Sequence, residues 1–314
     1  MRLHRLLLLS TLFALPAHAQ DELPKSLPSL DAALPAEVRL LLANTSRRQT
    51  LFPVNGSEPF AGAILKADVI SFSADSELVL GATSAPFVVI AANDVKFPDT
   101  TSSYRIRFEA PTAANGADGT DGAAGGGGAS VALPHVYFVV DHFSVGDDAT
   151  PRLINLALKF RGVAGGDGGR GGAGADGRAG ERGHRGSDGP FSCRRGGGDG
   201  SRGEDGKIGG RGGDGGRGGD GGNVTFISTA RGVGQFSYAS IQNQGGSGGG
   251  NGLAGRSGKG GNGGPGGHGS RFCHGGHGGE AGTSPANAPA GTDGARGTKG
   301  MVELMSVPTT ALAG

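Results

Sequence analysis

Two cysteines and a group of histidines are the residues of this chain best equipped for chemistry. Cys193 and Cys273 are its only cysteines, and Cys273 opens the run Cys273-His274-Gly275-Gly276-His277, with His268 shortly before it and His184 shortly before Cys193. Two thiolates and two imidazoles, from Cys193, Cys273, His274 and His277, would suit a tetrahedral zinc ion, although their spacing follows no common zinc pattern. In an oxidising compartment the same two thiols would pair with each other instead. That bridge would close a loop of about eighty residues and contribute roughly 3–5 kcal/mol. Phe191 and Phe272 stand beside the cysteines and are expected to pack on the bridge as a small apolar cap.

Other patterns carry less. Asp141-His142 beside Ser144 has the residue types of a hydrolase but reads better as a corner between strands. Gly171 to Asp176 begins like a calcium-binding nonapeptide, yet Arg178 stands where an apolar residue belongs and no tandem copy follows. Gly-x-Gly-x-x-Gly matches arise here from composition alone. There is no His-Glu-x-x-His pair. No catalytic residue, cofactor-binding residue or cofactor is therefore assigned, and a non-enzyme is expected.

The elements that would position the cysteines are glycine-rich. Of 314 residues 67 are glycine. From Gly162 to Gly189 every third residue is glycine; the phase breaks over Pro190 to Arg195 and resumes from Gly197 to Gly221. A second block keeps phase from Gly246 to Gly267, breaks around Ser270 to His274, and continues from Gly276 to Gly300. A period of three matches a threefold extended helix of about 3.1 Å rise per residue. Each cysteine sits midway along its block, 31 residues after Gly162 and 30 before Asn223, then 28 after Gly245 and 27 before Gly300. Two hairpins are implied, each arm roughly 80–90 Å long, with a cysteine at each tip.

Between Leu51 and Phe160 short apolar alternations mark half-buried strands. The stretch Ala67 to Phe72 returns as Ala92 to Phe97 and again as Val140 to Val145, each with an Asp or Asn corner. Strand-like runs flank the corners, including Phe87 to Ile90, Arg105 to Phe108, Val136 to Val139 and Leu153 to Phe160. A spacing near 25 residues fits the rungs of a parallel β-solenoid. Val224 to Ile227, Phe236 to Gln242 and Met301 to Met305 would continue it as strands. The glycine stretches all begin after the last strand of a rung, so they would leave at one corner and stack.

The fold class expected is mainly β: a parallel β-solenoid base carrying glycine-rich threefold-helix bundle insertions. Residues 1–19 read as a signal peptide, with Arg2 and Arg5, an apolar run from Leu6 to Leu15 too short to span a bilayer, and Ala17-His18-Ala19 as cleavage site. A linker and short cap follow in 20–50, with a helix over Leu34 to Asn44 and a strand there as the competing reading. The base occupies 51–161 with a short glycine excursion at 113–130. The first long hairpin is 162–222, a further rung 223–244, the second hairpin 245–300 and a final strand 301–314.

Triplets such as Gly180-Glu181-Arg182 look collagenous, yet few prolines follow residue 161 and many triplets are Gly-Gly-x. Collagen needs one bare edge per chain; Gly-Gly-x offers two, which suits a helix packed among neighbours whose backbone groups satisfy one another. On these triplets, residues 162–300 resemble the glycine-rich threefold-helix bundles of T-even-like phage tail adhesins and snow-flea antifreeze proteins. The resemblance implies an intrachain bundle and assigns no functional residue. A collagen-like trimer and a disordered arm remain alternatives.

The 29 basic and 28 acidic residues interleave, so no nucleic-acid partner is expected. With aromatics at 5%, too scarce for extended sugar stacking, the reading is an exported structural or adhesive protein. Its partner would be a cell-surface, matrix or glycan component, at a secreted, surface or periplasmic location, with oligomeric state open. A carbohydrate-active solenoid enzyme is the alternative, and ice binding a third reading.

Overall fold

Alternating short apolar runs pair here as parallel strands in two sheets. The structure is a computed structural model and describes residues 29–45, 49–81, 85–109, 111–146 and 154–308. In chain order the elements are α1 (Leu30–Ala33), α2 (Ala36–Asn44), β1 (Gln49–Val54), β2 (Ser57–Phe60), β3 (Ile64–Phe72), β4 (Glu77–Leu80), β5 (Phe87–Phe97), β6 (Tyr104–Phe108), β7 (His135–Val145) and β8 (Leu156–Lys159). There follow β9 (Ser187–Asp188), β10 (Cys193–Arg195), β11 (Val224–Ser228), α3 (Ala230–Phe236), β12 (Ser240–Gln242) and β13 (Val302–Ser306). One sheet has the order β1-β3-β5-β7-β11-β13 and the other β12-β8-β6-β4-β2, every pair parallel, while β9 and β10 form a separate antiparallel hairpin. The chain is mainly β, and successive strands alternate between the two sheets.

The core lies between the sheets. Its inward residues are Leu65, Ala67, Ile70 and Phe72 on β3, Val88, Ile90, Ala92, Val95 and Phe97 on β5, and Val136, Phe138, Val140, Phe143 and Val145 on β7. The period-two alternation slips by one residue at Asp68-Val69, at Asn93-Asp94 and at Asp141-His142, where two successive side chains leave the core. The expected corners are therefore present as a change of face, but they do not break the strands: pairing runs on through Val69↔Asp94 and Asp94↔His142. Polar groups at these steps bond one another, Ser144 Oγ donating to Asp94 at 2.6 Å and Asn93 Nδ2 to Asp68 at 3.5 Å.

The segment Phe236 to Gln242, expected as one strand, is instead the end of α3, a turn and β12. Thr229 Oγ1 caps the helix by accepting from Gly232 N–H. Beyond the last residue of β7 that β11 reaches, the buried Gln235 stands in for a strand: its Nε2 donates to Phe143 C=O at 2.6 Å and its Oε1 accepts from Phe143 N–H at 3.0 Å. The helix also delivers Phe236 onto Phe226, ring centroids 3.9 Å apart, and against Phe138 and Phe143. Such aromatic packing contributes about 0.5–1.5 kcal/mol per pair beyond burial. Helix α2 is shorter than expected by two residues, with Pro35 as its N-cap, and α1 adds a turn inside the presumed linker. Both lie on the outer face of the first sheet, where Val38 and Leu42 meet Val89, Ala91 and Val139.

The three glycine-rich excursions, residues 111–131, 162–222 and 245–300, all leave after a strand of the second sheet (β6, β8, β12) and return to a strand of the first (β7, β11, β13). Along each ladder the amides that bond carbonyls of a neighbouring leg recur at three-residue intervals. Gly162 to Gly186 donate to Gln244 through His268, Gly198 to Gly222 donate to His184 back through Phe160, and Gly246 to Gly267 donate to Gly219 back through Gly198. The outward leg of the second excursion thus bonds the outward leg of the third in parallel and its own return leg antiparallel.

Glycine count follows neighbour count. Gly166, Gly169 and Gly172 donate to Ala129, Gly126 and Ala123 of the short first excursion. That excursion turns back at Asp121-Gly122, both with positive φ. Past its end the same position of the triplet is no longer glycine but Ala175, Arg178, Glu181 and His184. The return leg mirrors this: Gly210, Gly213 and Gly216 face the first excursion, whereas Lys207, Glu204 and Ser201 do not. A Cβ at Gly213 would fall on the carbonyl oxygen of Gly126, and one at Gly216 on that of Ala129.

Gly213→Val or Gly216→Val is expected to cost 3 kcal/mol or more, at or above the upper end of overpacking penalties of roughly 1–3 kcal/mol, because backbone cannot step aside. Arg217→Val, at an exposed position of the same leg, is expected to cost under about 1 kcal/mol. Denaturant unfolding with amide exchange of the legs measures both.

Candidate functional site: the bridged tips and the strand-face cleft

Cys193 and Cys273 form a disulfide, with Cα atoms 4.8 Å apart and 80 residues between them in sequence. The legs bring them together. Gly186 N–H still donates to His268 C=O, and beyond that rung the chain turns into β9 and β10 in one excursion and into residues 270–274 in the other. Asp188 organises the contact: its carboxylate accepts from Ser270 Oγ at 2.5 Å and from the backbone N–H groups of Arg271 and Phe272 at 3.0 Å. Those bonds, Ser270's first, hold the Asp188 carboxyl below its ordinary value. The zinc alternative fails here because sulfurs shared in a bridge cannot act as thiolate ligands. Among the described residues no cluster of three His, Cys, Asp or Glu could hold a metal ion, so His274 and His277 are not brought into a ligand set.

The expected apolar cap is also absent. Phe191 is 92% exposed and Phe272 44% exposed, the latter with the Arg271 guanidinium 5.2 Å from its ring. The turn between β9 and β10 carries Phe191 beyond the last rung of the ladders, so its ring is not packed on the bridge.

Sequence reasoning missed a set of carboxylate braces. Along the return legs of the second and third excursions Asp199 accepts from His277 N–H, Asp205 from Thr283, Asp214 from Thr292 and Asp220 from Thr298, at 2.6–2.7 Å and always 78 residues apart. The Thr292 and Thr298 hydroxyls add second bonds. Arg202, Arg211 and Arg217 each pair with the aspartate three residues on. The outward legs repeat the device with Asp167 and Asp176 accepting from Gly250 and Lys259. These amides lie between the glycines and have no backbone acceptor in the ladders, so side chains satisfy them. The recurrence of threonine at residues 283, 292 and 298 opposite aspartates was the available signal.

A second candidate lies on the outer face of the first sheet. A cleft of about 420 Å³ is lined by His135, Asn223, Thr225, Met301 and Glu303, among others. Thr225 is in register with Tyr137 on one side and Glu303 on the other. His135 Nε2 lies 2.9 Å from Thr225 Oγ1, which donates to Glu303 at 3.4 Å, and the His135 ring stacks on Tyr137 at 4.2 Å. Desolvation pushes the His135 pKa down, favouring the neutral ring. The hydroxyl stands between imidazole and carboxylate, so Glu303 does not orient the imidazole as a triad carboxylate would. Asp141-His142-Ser144 is no better placed: Ser144 Oγ bonds Asp94, and His142 lies 3.6 Å from Asp94 and 3.5 Å from Asp141.

No protein-family model matches the chain, and no curated protein matches it. Among the described residues no helix is long and apolar enough to cross a membrane.

Two outcomes are expected. Reducing the Cys193–Cys273 bond should speed amide exchange in the outer parts of the legs while leaving the paired strands protected, because the loop it closes is worth about 4–5 kcal/mol of chain entropy. Asp205, Asp214 and Asp220 all have lowered pKa values, the first two chiefly through bonds from Thr283 and Thr292 and Asp220 chiefly through Arg217. Their contribution is present above the unfolded-chain value near 3.9 and is lost as pH falls through the lower folded values. Exchange at Thr292 and Thr298 should be pH-independent in its protection from pH 7 to about 5 and lose protection progressively below about pH 4. Asp214→Asn should flatten that acid response at Thr292.

Proposed function

We propose that this chain is a non-enzymatic exported structural or adhesive protein, in which a parallel β-solenoid base carries a stiff bundle of threefold polyglycine-type helices outward from one corner. The observation that carries the reading is the match between glycine count and neighbour count along the legs, with ladders of amides at three-residue intervals bonded to adjacent legs of the same chain. Such material spends backbone hydrogen bonds on length and rigidity. The same intrachain bonds favour a bundle over a collagen-like trimer, in which those amides would serve other chains. Alternation of successive strands between two parallel sheets supports the solenoid.

Export is proposed from residues 1–19, which lie outside the described part of the chain, and is supported by the disulfide, a bond that persists in oxidising compartments. The partner proposed is a component of a cell surface or matrix. The cleft around His135, Thr225 and Glu303 is the observation that favours the second reading, a carbohydrate-active solenoid, since it combines an imidazole backed by Tyr137, a hydroxyl and a carboxylate in one depression.

Incubation of the purified exported protein with a polysaccharide panel and with isolated cell envelopes separates the two. Retention on envelopes with no bond cleavage is expected. Reproducible cleavage abolished by Glu303→Gln would overturn the non-enzymatic reading.

A further inference from the structure

The whole chain carries a net charge of +1, yet its distal tip is strongly basic. Within residues 182–199 and 268–277 there are five arginines, Arg182, Arg185, Arg194, Arg195 and Arg271, against two acids, Asp188 and Asp199, a net of +3 with histidines neutral. The Asp188 carboxylate, already counted in that net, is held by Ser270 Oγ and by the backbone N–H groups of Arg271 and Phe272. The same tip carries Phe191, 92% exposed on the turn between β9 and β10, and Phe272, half-exposed on the other loop. The disulfide fixes the two loops to each other. An apolar ring held out into water on a cross-linked support contributes nothing to the fold and costs solubility.

We propose that this tip is a docking surface for an anionic lipid bilayer, with Phe191 entering the interface and the arginines meeting lipid phosphates. Phosphate-bearing headgroups are matched by arginine forks, and basic residues beside an apolar side chain form a usual two-part signal for reversible membrane attachment. A sugar site favours concave apolar walls, whereas Phe191 projects almost free of neighbours. The inference rests on the adhesive reading above and names its target.

The test is co-sedimentation of the purified exported protein with vesicles of phosphatidylglycerol and phosphatidylcholine, with phosphatidylcholine alone, and binding to soluble dextran sulfate. The ladders do not involve the variant positions, so Phe191→Ser and the double change Arg194→Ser, Arg195→Ser should keep the wild-type melting temperature. Binding to the anionic vesicles is expected, weakened at least tenfold by F191S and about thirtyfold by the double arginine change, at about 1 kcal/mol per basic residue. Absence of vesicle binding, insensitivity to both variants, or binding to dextran sulfate without binding to vesicles would overturn it. If the protein fails on vesicles but is still retained on envelopes, the bilayer target alone falls; if it is retained on neither, the adhesive reading falls with it.

Discussion

Much of this molecule depends on one constraint: legs of chain approach until the amide of one meets the carbonyl of the next at about 2.8 Å, a distance at which no Cβ fits between them. Burial of apolar side chains, the usual driving force, is nearly unavailable in the legs. Backbone hydrogen bonds of roughly 1 kcal/mol net each must offset the large conformational entropy that glycine loses on ordering. Many such bonds in register, repeated every three residues along several leg pairs, are what make that balance feasible. It also explains why side chains reappear wherever a neighbour ends, as at Ala175 and Lys207, and along the last leg, where Ala281, Arg296 and Lys299 stand exposed.

The strands supply what the legs lack. Their apolar core fixes the points of departure and return of all three excursions, so the legs emerge already aligned and adjacent. Alignment matters because a shift of one residue would bring side chains such as Arg211 or Asp214 into contacts that admit only glycine. At the far end the Cys193–Cys273 bond supplies a second fixed point. The aspartate braces between these two anchors satisfy the amides that the glycine ladders leave over, and their arginine partners hold the carboxylates in place.

Where the pattern lapses, local chemistry replaces it. Pro285 and Ala288 occupy glycine positions of the last leg, and its amide ladder passes from Gly282 directly to Gly291. Opposite them Ser257 bonds Ala286 C=O and Asn287 Oδ1, and its hydroxyl also accepts from Gly209 N–H. Gln235 plays a comparable part in the strands, supplying a donor and an acceptor where β11 has ended.

Local order was legible in the sequence by itself. The period of three, the points at which excursions begin and end, the strand runs and the pairing of the two cysteines follow from spacing and residue type, because each depends on near neighbours or on a symmetry of chain lengths. Tertiary structure decided what depends on distant partners. Phe236 is helical rather than extended because Phe226, Phe138 and the amide of Phe143 lie where a helix can reach them. Phe191 is bare because the turn between β9 and β10 carries it past the last rung of the ladders. His135, Thr225 and Glu303, scattered over three strands, meet only through strand register, and Asp214 finds Thr292 only because two legs run in parallel 78 residues apart. Register between remote segments is set by the sum of many weak contacts, and no single stretch of sequence carries it.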